Sequence, residues 1–261
     1  MKKQIYSDYE RIVRVWDVEE IKDLMSRRMV YNANGQRREE LDRLWVSKPQ
    51  YQKTASIGSN WGYYVGMDEV VKYYVLKFEE KRQASLDAYA AANPEIANVP
   101  ANLGYGSFVN HHVSTPCVVL AGDGQPAKGT WYSMGVECDG NPDGSSKCVW
   151  YYIKYCADFV KEEDGQWKIW HLFQSNDVEY EAGTSMGTVP TNPEPGTSLP
   201  EQEFGTPTKP YLAHNRRYGW GDAYPTLPDE YYTYDEEDGY GYEGRPRWPK
   251  AHPNYRKEAA E

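Results

Sequence analysis

The segment Trp150–Asn176, WYYIKYCADFVKEEDGQWKIWHLFQSN, decides the fold. It reads as two long strands joined by a tight acidic turn at Glu162-Glu163-Asp164-Gly165. Asp-Gly between two such runs supplies the positive φ that a hairpin turn needs. On the first strand Trp150, Tyr152, Lys154, Cys156 and Asp158 share one face, and Val149, Tyr151, Ile153, Tyr155, Ala157 and Phe159 share the other. Neither face has the polar pattern of a solvated surface. Lys and Asp set among Trp, Tyr and Cys read as a pocket wall, because a plain core has no use for those charges. The alternative is a sandwich strand with its charges at the wet ends.

Upstream, the period-2 pattern extends back to Ser107, through Val109–Leu120, a turn at Gly122-Asp-Gly124, and Ala127–Glu137. The loop 139–146 then leads into the hairpin. Before Ser107 the period is helical. Asp17 with Glu20 three residues on predicts a helix starting near Val18. Its apolar stripe is Val18, Ile21, Leu24, Met25 and Met29, and it stops near Asn32-Ala-Asn-Gly35. A second helix is expected over Gln36–Val46, with Leu41, Leu44 and Trp45 inward. Lys53–Val65 reads as one or two short strands interrupted at Gly58-Ser-Asn-Trp-Gly62. A third helix begins at Asp68 and runs toward Ala92, where Asn93-Pro94 ends it. Helices first and antiparallel strands after predict an α+β domain whose helices cover one face of a curved sheet.

Downstream of Glu181 the character changes. Residues 183–210 are rich in Gly, Pro, Thr and Ser, and no regular period follows. Between Tyr211 and Tyr255 lie nine tyrosines and two tryptophans, an aromatic density foreign to disordered tails. The expected organisation is a domain over 1–182 and an irregular arm over 183–261, packed on its own domain or on a neighbouring subunit.

Composition narrows the function. Hydrophobic residues make up 39% and mean hydropathy is −0.84, and no window approaches the ~20 apolar residues of a membrane span. The N-terminus lacks an apolar stretch behind its lysines, which predicts a cytoplasmic protein without a signal peptide. In that compartment Cys117, Cys138, Cys148 and Cys156 are expected as free thiols, although Cys138 and Cys148 bracket a loop across which they could approach. A net charge of −10 argues against nucleic acid as a partner. With 24 Tyr and 9 Trp against 5 Phe, the chain favours rings with a polar handle, the kind that line ligand pockets and interfaces. There is no HxH, HExxH, GxGxxG after a strand, phosphate loop or GxSxG. These absences favour acid/base chemistry without metal or cofactor.

A helix ending in Tyr31-Asn32, a strand opening with His111-His112, and a hairpin ending DG-x-W-K-I together resemble the nuclear-transport-factor-2-like superfamily. Within it, the branch of scytalone dehydratase and bile-acid 7α-dehydratase is the most similar over about residues 14–178. The resemblance implies a cone-shaped, cystatin-like α+β barrel with a hydrophobic ligand in its mouth, assembling as a homodimer or homotrimer, with the arm expected at the interface. It also places the family's catalytic Tyr and His on Tyr31 and His112. The family's Asp falls on Asn32, its second His near Glu137 and a pocket Asn near Cys156, all three departures from the pattern.

The catalytic candidates are therefore His112 as base, Tyr31 as hydroxyl donor, Asp158 to orient or charge a neighbour, and Lys154 to hold an oxyanion. Asn32, Tyr63, Trp131, Glu137, Tyr152, Cys156 and Leu172 are expected to bind substrate. His111 and His112 are adjacent in a strand, so only one can enter the pocket. His171, of opposite parity to Leu172, is assigned to the other sheet face and a subunit contact. His214 and His252 in the arm receive no role. The expected activity is a cofactor-independent lyase on an aromatic or polycyclic hydroxylated substrate, by dehydration or by retro-aldol cleavage such as formaldehyde release from a lignin-derived diaryl compound. Alternatives are a ketosteroid-type isomerase, a structural subunit of the kind found in aromatic-ring dioxygenases, and an aromatic-ligand-binding protein.

Overall fold

The computed structural model describes residues 5–59, 62–143, 145–184, 209–210 and 227–242. Helix α1 (Asp8–Ala33) begins ten residues before the expected start near Val18. Ser7 caps it: its hydroxyl accepts from the Glu10 amide, and its own amide donates to the Glu10 carboxylate, a reciprocal capping box. Asp17 is therefore not a cap. It is buried on the helix and accepts hydrogen bonds from Lys161 Nζ (2.6 Å) and Trp167 Nε1 (3.0 Å), tying α1 to the hairpin. The predicted stripe of Val18, Ile21, Leu24, Met25 and Met29 packs into the main core.

Helices α2 (Arg37–Leu44) and α3 (Pro49–Gln52) follow, then strands β1 (Ser56–Ser59) and β2 (Gly62–Val65). The third predicted helix is observed as α4 (Met67–Val71), a π-helical turn (Lys72–Leu76) and α5 (Lys77–Ala92). The π turn inserts a residue into the helical register. It leaves Tyr74 buried and Tyr73 half-buried, stacked on Tyr64 with centroids 3.9 Å apart.

The long strands are β3 (Ser107–Leu120), β4 (Ala127–Gly140), β5 (Ser146–Lys161) and β6 (Trp167–Glu181). With the two-residue β7 (Lys209–Pro210) they make one open, curved sheet of order β3-β4-β5-β6-β1-β2-β7. All neighbours are antiparallel except β1 and β6, where the short strand returns parallel to the hairpin. The predicted turn is present, with Gly165 at φ +83°. Cys138 and Cys148 face each other across β4 and β5 and are joined by a disulfide, in place of the expected free thiols; Cys117 and Cys156 are free. Their Cα atoms are 4.0 Å apart, a separation that the ladder itself sets at a directly opposed pair.

The inner face of this sheet is covered by helices and the outer face in part by the arm. The helices pack on the inner face against Trp131, Ile153, Tyr155, Ala157, Phe159, Trp167, Ile169 and Leu172. On the outer face the described part of the arm, 227–242, lies over Cys156, Phe173 and Tyr63 through Tyr240 and Tyr242. The two backbone amides Gly122 and Asp123 donate to the carbonyls of Tyr231 and Tyr232 and anchor its start. Its close approach depends on glycine: a Cβ at Gly241 would lie 2.9 Å from the His171 ring, and one at Gly239 would collide with the Tyr234 hydroxyl.

Overpacking at such a site costs about 1–3 kcal/mol. Gly241→Ala is accordingly expected to lower the urea midpoint and to speed amide exchange across 227–242, with the helices unaffected, as hydrogen-exchange mass spectrometry would read.

Candidate active site

The alternation of β3 sends His111 inward, where it is buried, and His112 outward, where it is exposed. The interior histidine is thus His111 and not His112. Its partner across the ladder is Gly135, and the imidazole lies flat enough over that residue that any side chain there would collide with the ring. Tyr151, opposite Gly135 on the next strand, places its ring 5.7 Å from the imidazole. His111 Nε2 lies 3.1 Å from Glu137 Oε1, whereas Nδ1 is buried and has no hydrogen-bond partner among the described residues. A neutral imidazole holds one proton. Placed on Nε2 and donated to Glu137, it leaves Nδ1 as a bare acceptor.

Glu137 is the accessible half of this pair, its side chain 40% exposed against 4% for His111. Burial pushes its carboxyl up. The hydrogen bond and charge of His111, with Arg37 and Arg82 behind, outweigh that and hold it below the usual glutamate range.

A second polar cluster adjoins it. Arg28 and Glu40 form a fully buried ion pair at 3.2 Å. Tyr74 donates its hydroxyl to Glu40 (2.8 Å) and accepts from Asn32 Nδ2 (3.0 Å). The Arg28 guanidinium also sits 5.0 Å from the Tyr155 ring. Burial raises the Glu40 carboxyl and the Tyr74 and Tyr155 phenols. Tyr155 responds to both Glu40 and Glu137, and Arg37, stacked on Phe78 at 3.6 Å, acts on both carboxylates. The interior therefore holds two polar clusters, His111 with Glu137 and Arg28 with Glu40 and Tyr74, and Arg37 acts on the carboxylate of each.

Of the sequence candidates, Glu137, Asn32, Trp131 and Leu172 lie on this inner side. Tyr31 is half-buried at the edge of the core. Lys154, Cys156, Asp158, Tyr152 and Tyr63 do not join it. Each has the parity of the outer face, where Asp158 bonds His171 and Tyr63 packs with Cys156 and Phe173. The charged face of β5 is the outer one, buried from Lys154 to Asp158 and packed there by the arm at Cys156 and Asp158. Sequence reasoning also missed Arg28, Arg37, Glu40, Tyr74 and Tyr151. Arg28 and Glu40 do carry a signal, since charges in a stripe of core spacing must find partners.

A family model described as SnoaL-like domain matches residues 13–172. The chain belongs to the SnoaL-like domain family. No curated protein matches it in sequence. Among solved structures it is similar to an NTF2-like protein with a cystatin-like fold from Novosphingobium aromaticivorans, at 14% identity and TM-score 0.41, over 71% of this chain and 95% of that one. A candidate dehydratase of the NTF2-like family from Streptomyces avermitilis shares 20% identity at TM-score 0.43, over 61% and 95%. A candidate aromatic ring hydroxylase from Novosphingobium aromaticivorans shares 16% at TM-score 0.43, over 64% and 94%.

Among the described residues no cluster of His, Cys, Asp and Glu is arranged to hold a metal, and no helix is long and apolar enough to cross a membrane.

The lowered Glu137 pKa sets a pH dependence. A carboxyl whose folded value is depressed adds stability above its unfolded value, and loses it as pH falls through the folded one. The stability difference between the native chain and Glu137→Gln is expected to be constant at neutral pH and to shrink below the ordinary glutamate value of 4.5. Urea titrations from neutral to acid pH would read this; a difference that grows on acidification would refute the pairing.

Proposed function

We propose that this SnoaL-like chain is a cofactor-independent lyase whose base is His111 and whose substrate is a hydroxylated aromatic or polycyclic compound. The observation that carries the reading is the unpartnered Nδ1 of a buried histidine whose other nitrogen faces a carboxylate. A base of this kind needs a fixed tautomer and a partner that steadies the imidazolium once formed, which Glu137 supplies. The ring of Tyr151, 5.7 Å from the imidazole, suits a flat aromatic ligand. The Arg37 guanidinium, whose buried Nε has no hydrogen-bond partner among the described residues, is a donor available to an oxygen that gains charge.

In dehydration, Nδ1 takes the proton beside the departing hydroxyl, the carbon–carbon double bond forms as the carbon–oxygen bond breaks, and the imidazolium returns that proton to release water. In retro-aldol cleavage, Nδ1 takes the hydroxymethyl O–H proton, the carbon–carbon bond breaks to release formaldehyde, and the imidazolium protonates the carbon left behind. Either cycle leaves His111 unchanged and consumes no co-reactant. The exposed outer side chains Phe108, Tyr132, Met134 and Trp150 support assembly of copies through the uncovered part of the sheet.

With a chelator present and a panel of hydroxylated diaryl and steroid compounds, product masses should report loss of water or of formaldehyde. His111→Gln should cut turnover by ~10²–10⁴-fold, and His112→Gln should leave it within about twofold of the native rate. Equal losses in both, or none in His111→Gln, would remove the assignment.

A further inference from the structure

The outer face carries a separate polar centre that the proposed chemistry does not use. Asp158, wholly buried, accepts hydrogen bonds at Oδ2 from His171 Nδ1 (2.8 Å), the Tyr234 hydroxyl (3.0 Å) and the Tyr240 amide (2.6 Å). In its neutral form the His171 ring then holds its one proton on Nδ1, toward Asp158, and presents Nε2 as an acceptor. No described residue bonds that nitrogen. His171, 5% exposed, lines a cavity of about 60 Å³ between the sheet and the 227–242 segment. A water-sized site needs roughly 10–15 Å³ on this measure, so the cavity admits a ligand of about four heavy atoms.

The lining is specific. Trp170, Tyr234 and Tyr242 supply three rings, the first two 5.3 Å apart by centroid, and Glu236 stands at the mouth. Glu236 has no ion pair among the described residues. Lys128, opposite Asp158 on the β4–β5 ladder, places its ammonium 4.6 Å from the Tyr231 ring and 5.3 Å from the Tyr234 ring. What the cavity offers is therefore acceptors and π faces, together with a negative charge at its entrance. A ligand that satisfies all three donates hydrogen bonds, carries positive charge and is small. We infer that this cavity binds a small alkylammonium ion, whose N–H donates to His171 Nε2 while its methyl groups meet the rings and Glu236 balances its charge. Cation–π contacts of this kind act within about 6 Å of a ring centroid. The neutral tautomer of His171 is required, since a protonated ring would repel the cation.

The test is titration of the full chain with dimethylammonium chloride, followed by the indole N–H resonance of Trp170 and by calorimetry, at neutral pH. Saturable millimolar binding that shifts Trp170, weakens about tenfold in Glu236→Gln and is absent for equimolar tert-butanol and sodium acetate would support the site. Glu236 is exposed, so its substitution leaves the fold intact, and Trp170→Phe with a retained fold by circular dichroism gives a second check. No saturable shift, or tert-butanol binding as tightly as the ammonium, would overturn it. Because the readout is binding on the outer face, the result is independent of turnover at His111.

Discussion

A strand sends successive side chains to opposite faces, and from Ile153 to Val160 of β5 both faces are buried. The inner row of Tyr151, Ile153, Tyr155, Ala157 and Phe159 is covered by helices, the outer row of Lys154, Cys156 and Asp158 by neighbouring strands and the returning arm. Everything polar on this strand must then be satisfied by a partner, since a charge without one costs several kcal/mol in such surroundings. That constraint generates two polar centres within one sheet thickness, one around Glu137 and Glu40 inside and one around Asp158 outside. Neither could persist on a sheet with a wet face, where water would take the place of each partner.

The inner centre also depends on a buried ion pair that contributes little net stability by itself. Removing one partner of such a pair costs far more than forming it gains, because the other charge is left stranded. Arg28 and Glu40 thus act through geometry. They hold Tyr74, Asn32 and Tyr155 in one arrangement, at the point where the π turn has already shifted the helix register to bring Tyr73 and Tyr74 inward together. A regular helix over the same residues would rotate each successive side chain by about 100° and could not present that pair as it does.

Much of the fold was legible in the sequence. The hairpin turn, the α1 stripe, the stop at Asn93-Pro94 and the change of period at Ser107 each rest on local rules that tertiary contacts do not override. The site was less legible for a reason visible in β3 and β5. Parity divides a strand into two faces but does not say which is inside, and that choice is made by what packs on it. The arm, with Tyr231, Tyr234 and Tyr240 bonded to the sheet, makes the outer face as apolar as the inner one. His112 and the Asp158 row were consequently assigned inward, and the glycine at 135 that makes room for His111 carried no recognisable signal. Asp17 misled for a different reason: an acidic residue followed by Glu at the third position reads as a cap whether it starts a helix or lies within one. The alternating glycines of DGYGY at 238–242 let the chain press against the Tyr234 and His171 rings.

The position of His111 near the sheet edge bears on how the inner site would exchange protons. A base buried in the middle of the sheet, at Ile153 or Ala157, would be walled off by strands on both sides and by helices above. β3 is the edge strand, and its inner residues border the open end of the fold, where Glu137 is partly in solvent while the imidazole is not. A proton on Nε2 therefore has a carboxylate leading outward, while Nδ1 is buried and unpartnered among the described residues. The division of one dyad between wet and dry halves follows from topology alone. Burial opposes ionisation of the half-exposed Glu137, and its hydrogen bond with His111, with Arg37 and Arg82 behind, outweighs that burial.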